Sequence, residues 1–96
     1  MNERDKDYLR ILLDEAKTQI TDVKADQHGD ADGLFRYIAA LWSSYLGVKV
    51  DAHDVAHCQT LLKIARSAFG THNRDDYVDA IGYQGLAAAL DPRKDK

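Results

Sequence analysis

Asp76 and Asp79 are the residues of this chain whose type and spacing most invite chemistry. Three apart on a helix, they share one face with Tyr83, Leu86 and Leu90. A carboxylate on the apolar side of a helix is costly to bury unless a cation, a metal ion or hydrogen-bond donors meet it. Lys63 and Arg66, also three apart, close the preceding apolar segment, a short turn earlier in the chain. Helices joined by a short turn pack antiparallel, so these four side chains converge at one end of a bundle. Two readings compete. In one, Arg66 pairs with Asp76 or Asp79, Tyr83 bonds a carboxylate, and the cluster fixes helix register. In the other, Asp76 and Asp79 hold Mg²⁺ while Lys63, Arg66 and Lys24 contact phosphates, since Mg²⁺ keeps waters and is shared between a few carboxylates and a polyphosphate.

The elements that must position these groups follow from the periodicity, which predicts helices over about 5–20, 31–46, 52–69 and 74–90. In the first, Leu9, Leu12, Leu13, Ala16 and Ile20 recur at three- and four-residue spacings. Residues 21–30 lose the pattern and make the one long loop, where Lys24 and His28 are the side chains able to touch an anion. The second helix carries Leu34, Phe35, Ile38, Leu41, Trp42, Tyr45 and Leu46 on its core face, with Arg36, Ala40 and Ser43 opposite, and stops at Gly47.

Asp51 caps the third helix with Asp54 at its third position. Its expected buried face is Val55, Cys58, Leu61, Leu62, Ala65 and Phe69. His53 and His57 stand at i and i+4, but no third ligand at defined spacing completes a metal site. Gly70 ends the helix and Asn73 caps the fourth, which is apolar on two sides: Tyr83, Leu86 and Leu90 on one, Tyr77, Val78, Ile81 and Ala88 on the other. Between them Gly82, Gly85 and Ala89 leave a strip fit for close helix approach, so a second subunit is expected there. Asp91-Pro92 ends the helix, and the charged tail 91–96 is expected to fray. No segment alternates with period two over enough length to form a sheet.

Composition narrows the class. The chain has 96 residues, 45% hydrophobic and 30% charged, enough for one small all-α domain over 1–96 and no second core. A single cysteine, Cys58, makes no intrachain disulfide, which fits a reducing cytoplasm. The charged start from Met1 to Asp7 reads neither as a signal peptide nor as a membrane span. A net charge of −3 with scattered Lys and Arg makes duplex nucleic acid an unsuitable partner. At this size a lone core is marginal, and oligomerisation, as a homodimer, is the expected reinforcement.

Ile38-Ala39-Ala40-Leu41-Trp42-Ser43-Ser44-Tyr45-Leu46-Gly47, Asp54-Val55-Ala56, Leu61-Leu62-Lys63-Ile64-Ala65-Arg66, and His72 with Asp75, Val78-Asp79 and Gly82-Tyr83 resemble a family of small phage and prophage proteins without established function. The step from Asp76 to Asp79, followed by Tyr83, is similar to the second half of the metal motif of MazG-type all-α nucleotide pyrophosphohydrolases. That resemblance implies a four-helix, MazG-like bundle, oligomeric, that binds Mg²⁺ and handles nucleoside triphosphates. Carried onto this chain, it makes Asp76 and Asp79 metal ligands, Lys63, Arg66 and Lys24 phosphate contacts, and Tyr83 and His28 supporting residues. Whether hydrolysis accompanies binding is left open. The alternative class is a non-enzymatic phage protein that binds and inhibits a host factor. It is favoured by the scarcity of glutamate, only Glu3 and Glu15 being present where MazG-type enzymes place several on the preceding helix.

Overall fold

The computed structural model of the chain describes residues 1–19 and 31–95. The predicted loop with Lys24 and His28, and the helix residue Ile20, fall outside the described residues. Within them the structure is all-α, with four helices and no strand: α1 (Glu3–Thr18), α2 (Ala31–Leu46), α3 (Ala52–Phe69) and α4 (Arg74–Leu90). No described helix is long and apolar enough to cross a membrane.

The helix ends are set by local chemistry. Asn2 accepts from the Asp5 amide at 2.8 Å and starts α1. Gly47 takes φ +71° and ends α2 in the left-handed region, where a side chain would be strained. Asp51 and Asp54 form a reciprocal capping box on α3: Asp51 Oδ1 accepts from the Asp54 amide at 2.8 Å, and Asp54 Oδ2 accepts from the Asp51 amide at 3.0 Å. Asn73 Oδ1 accepts from the Asp75 amide at 3.0 Å and starts α4. At the far end Asp91 closes α4 and binds Arg93 through both carboxylate oxygens, at 2.8 and 2.9 Å, while the Lys94 amide donates to the Asp91 carbonyl at 3.1 Å.

The antiparallel α3–α4 pair is the centre of the fold, with α2 packed on α3 and α1 packed on α4. Val55, Ala56 and Ala87 are wholly buried, together with Phe35, Ala39 and Ala52, and Ile38, Trp42, Tyr83, Leu86 and Leu90 close around them. Small side chains dominate this core, so the helix backbones approach closely and little area is buried per residue. The second apolar side of α4 is partly covered within the chain. Arg74 reaches Glu15 on α1, and Val78, one turn further along the same face, is fully buried, while Tyr77 and Ala88 are exposed.

Several expectations about burial are overturned. On α3 only Val55 of the expected face is buried, whereas Cys58, Leu61, Leu62, Ala65 and Phe69 are exposed. The reason is geometric: among the described residues α2 covers the start of α3, and no other described helix packs on the stripe beyond it. On α2, Phe35 is buried and Ile38 and Trp42 pack on the core, but Leu34, Leu41, Tyr45 and Leu46 are exposed. On α1, Ala16 is buried and Leu12 half-buried, while Leu9 and Leu13 face outward. Ser43 does not point away from the structure. Its hydroxyl donates to the Val50 carbonyl at 3.1 Å and accepts from the Val50 amide at 2.8 Å, folding the α2–α3 connector back. Gly85 has open space where a Cβ would sit, so no close helix approach explains it.

Candidate functional site

The turn between α3 and α4 brings Lys63, Arg66, Asp76 and Asp79 to one end of the hairpin, as two ion pairs. Lys63 Nζ lies 3.1 Å from Asp79 Oδ2, and both side chains are about four-fifths withdrawn from water, at 19% and 18% exposure. Arg66 Nε lies 3.6 Å from Asp76 Oδ1, beyond hydrogen-bond length. This second pair is lopsided: the Asp76 side chain is 9% exposed and the Arg66 side chain 63%. The carboxylate is fixed in the fold while the guanidinium stands in solvent, free to change partner.

Each position has a local cause. Lys63 and Arg66 lie one turn apart on α3, Asp76 and Asp79 one turn apart on α4, and antiparallel packing aligns the two steps in reverse order. Asp76 also lies in the first turn of α4, where the helix dipole favours a negative charge. Beside this end opens a hollow of about 470 Å³, lined by Ala65, Arg66, Phe69, Thr71, Asn73 and Asp76 among others. That is within the range of about 300–1,000 Å³ typical of small-molecule sites. It has cationic and anionic groups on one wall and the Phe69 ring on another.

Tyr83 packs toward the core. Its ring stacks on Phe35 at 6.3 Å between centroids and forms part of the hydrophobic core. Lys24 and His28 lie outside the described residues. Among the described residues no three His, Cys, Asp or Glu side chains converge on a point. Two carboxylates therefore suit a Mg²⁺ that arrives with phosphate oxygens and retains waters, and do not suit one held in an all-protein cage. In that setting Asp76 and Asp79 would hold the ion, which would neutralise phosphate charge.

At the other end of the hairpin the histidines of α3 meet amide oxygens of α4. His53 donates from Nδ1 to the Ala87 carbonyl at 2.7 Å, and His57 donates from Nδ1 to the Gln84 amide oxygen at 3.1 Å. Their rings meet edge-on at 4.4 Å, so the i, i+4 histidine pair is used as a helix staple. Asp91 lies close by, 3.9 Å from His53 Nε2. Its carboxyl is held well below the usual carboxylate range, first by the Arg93 guanidinium and amide that bond it, and to a lesser degree by His53. Sequence reasoning missed the Glu15–Arg74 pair, in which Arg74 also lies over the Tyr8 ring at 5.9 Å. A link over 59 residues leaves no mark in local spacing.

Comparison with known proteins places this geometry in a lineage. The chain is 35% identical over 86 residues to the Gene 55 protein of Mycobacterium phage L5, covering 88% of this chain and 55% of that protein. It is also 35% identical over 79 residues to the Gene 55 protein of Mycobacterium phage D29, covering 82% of this chain and 52% of the relative. The chain thus spans about half the length of the curated relatives it matches. No solved structure matches it. The model of a domain of unknown function, DUF6378, matches residues 11–91, which takes in the second half of α1, all of α2, α3 and α4, and both ion pairs, and the chain belongs to that family.

Proposed function

We propose that the chain binds a nucleoside polyphosphate together with Mg²⁺ at the α3–α4 end, as the resemblance to MazG-type proteins implies. The supporting observation is that two cations and two carboxylates stand in matched one-turn steps, with Arg66 and Asp76 of the set lining an open hollow. Binding proceeds by exchange of partners. Arg66, already mostly in water, swings from Asp76 to a phosphate oxygen, and Lys63 turns its ammonium from Asp79 to another. Asp76 and Asp79 would hold the metal ion, whose charge would replace that of the two side chains, so that no carboxylate is left uncompensated in a partly buried site. A bound Mg²⁺ supplies charge neutralisation and an activated water, and a pyrophosphohydrolase reaction is the form of catalysis this arrangement suits. Phosphate contacts by Lys24 and support from His28 extend the same proposal.

A second reading is favoured by the same ion pairs, since each carboxylate already has a cation. On that reading the cluster only fixes helix register, and the chain is a non-enzymatic phage protein that docks on a host factor. Thermal unfolding with and without Mg²⁺, across ribo- and deoxyribonucleoside mono-, di- and triphosphates, separates the two. Ligand at a hundred times its dissociation constant adds about 2.7 kcal/mol, which raises the melting point of so small a domain by roughly ten degrees or more. A shift that needs Mg²⁺ and disappears in Asp79→Asn supports nucleotide binding. No shift with any nucleotide sinks it and directs attention to host proteins.

A further inference from the structure

The stripe that α3 leaves uncovered is continued on α2. Along α3, Cys58, Leu61, Leu62, Ala65 and Phe69 follow i, i+3, i+4, i+7 and i+11 spacing, and all are exposed. They lie on the flank opposite α4, because Thr60, Lys63 and His53 mark the α4 side. Along α2, Leu34, Tyr37, Leu41 and Tyr45 form a second exposed stripe, beside the Phe35–Ala39 face that meets α3. Both stripes trail their mutual contact face in the same helical sense. In antiparallel neighbours this carries them to one side of the molecule, the side away from α4.

The size of this surface exceeds what a monomer leaves bare. Tyr37, Tyr45 and Phe69 are 67%, 89% and 96% exposed. At about 200 Å² per ring they offer roughly 500 Å². The four leucines, each about half exposed, add roughly 200 Å² more. A stable interface needs about 800 Å² from each partner, whereas ordinary monomers expose patches of a few hundred. The radius of gyration of 14.8 Å compares with about 12.5 Å expected for a closed globule of this length.

We propose that a second copy of this chain covers the α2–α3 face in an isologous dimer. Charge is compatible with a like partner over most of this face. The chain carries −3 overall and 30% charged residues, yet no Asp, Glu, Lys or Arg occurs between Arg36 and Lys49, or between Asp54 and Lys63, so Tyr37, Leu41, Tyr45, Cys58, Leu61 and Leu62 meet a second copy without like-charge opposition, and Lys63 and Arg66 flank only the Ala65–Phe69 end. Apolar stripes are self-complementary under a two-fold axis. The dimer also completes the hollow at the α3–α4 turn. Ala65 and Phe69 belong both to its lining and to the stripe, so the partner copy closes its open side. The dimer itself does not depend on nucleotide binding, and only that last consequence does.

The test is sedimentation velocity over a range of protein concentrations, without nucleotide, with thiol labelling of Cys58 as a second measurement. Expected is a concentration-dependent monomer–dimer equilibrium, with Cys58 labelling slowed several-fold as dimer forms. Leu61→Glu and Leu62→Glu, both at exposed positions, leave helix content by circular dichroism unchanged and hold the chain monomeric. Asp79→Asn leaves the dimer intact even where it removes a nucleotide shift. A monomer at every concentration, or a dimer that both glutamate variants leave unaltered, overturns the proposal. Capture of a host protein that Leu62→Glu abolishes, by a wild-type chain that stays monomeric, gives the face to that partner instead.

Discussion

The α3–α4 pair is fastened at both ends, and the two fastenings use different chemistry. At one end His53 and His57 bond the Ala87 carbonyl and the Gln84 amide, and the groups need no charge to do so. At the other, Lys63 and Arg66 meet Asp79 and Asp76 beside an open hollow. The histidine end bonds amide oxygens, and the Ala87 carbonyl lies in the last turn of α4, among those a helix leaves without an intrahelical donor, so His53 satisfies it. Under the proposed function, the four groups of the charged end trade their partners for a phosphate or a metal ion. A structural fastening and a binding site would then differ less in strength than in whether the partners can be traded.

The largest effect expected from breaking this contrast is at Asp79. Asp79→Ala leaves the Lys63 ammonium in a largely enclosed position without its carboxylate and costs about 2–3 kcal/mol of stability. Adding Lys63→Ala recovers part of that loss, so a double-mutant cycle by denaturant unfolding gives a coupling of about 1–2 kcal/mol. Additive losses would show that the 3.1 Å contact carries no energy.

Next comes the histidine end. His53→Ala removes the bond to the Ala87 carbonyl and costs about 1–1.5 kcal/mol. The nucleotide-induced shift in melting point is unchanged, because the lost contact lies at the other end of the hairpin. If His53→Ala abolished the shift, the separation of roles between the two ends would fail.

The smallest effect concerns pH. Asp91 has its folded pKa depressed by Arg93, so its contribution to stability is present above the unfolded carboxylate value, near pH 4, and is lost as pH falls toward the folded value. Asp91→Asn should therefore flatten the stability profile slightly on the acid side of about pH 4. It should change nothing at neutral pH beyond the lost hydrogen bonds. An unchanged acid limb would show that the Arg93 contact does not persist in solution.

Much of the molecule was legible because it is decided within a few residues. The capping box of Asp51 and Asp54, the stop at Gly47 and the start at Asn73 follow from backbone geometry and side-chain reach over three residues or fewer. The meeting of Lys63 and Arg66 with Asp76 and Asp79 was also foreseeable, since a short turn dictates which helix ends adjoin. The use of His53 and His57 was not. Their spacing fits a metal pair as well as a staple, and only the position of Ala87 and Gln84 chooses. Ser43 looked solvent-facing by helical angle, yet a connector that bends back supplies both of its backbone partners.

The sequence by itself determined four helices, most of their ends, and which face of each is apolar, because periodicity and capping are local properties; α1 starts at Glu3 behind Asn2, two residues ahead of the expected start. It did not determine which apolar faces would be covered. Cys58, Leu61, Leu62, Ala65 and Phe69 read as core by spacing, and they stand exposed because α2 covers only the start of α3. For the second side of α4 the pattern left open a helix of the same chain or another copy, and α1 takes the part around Val78, with Glu15 meeting Arg74, while Tyr77 and Ala88 stay exposed. Helical periodicity records that a face would gain by burial, and only the tertiary arrangement decides whether the chain has another helix to place against it.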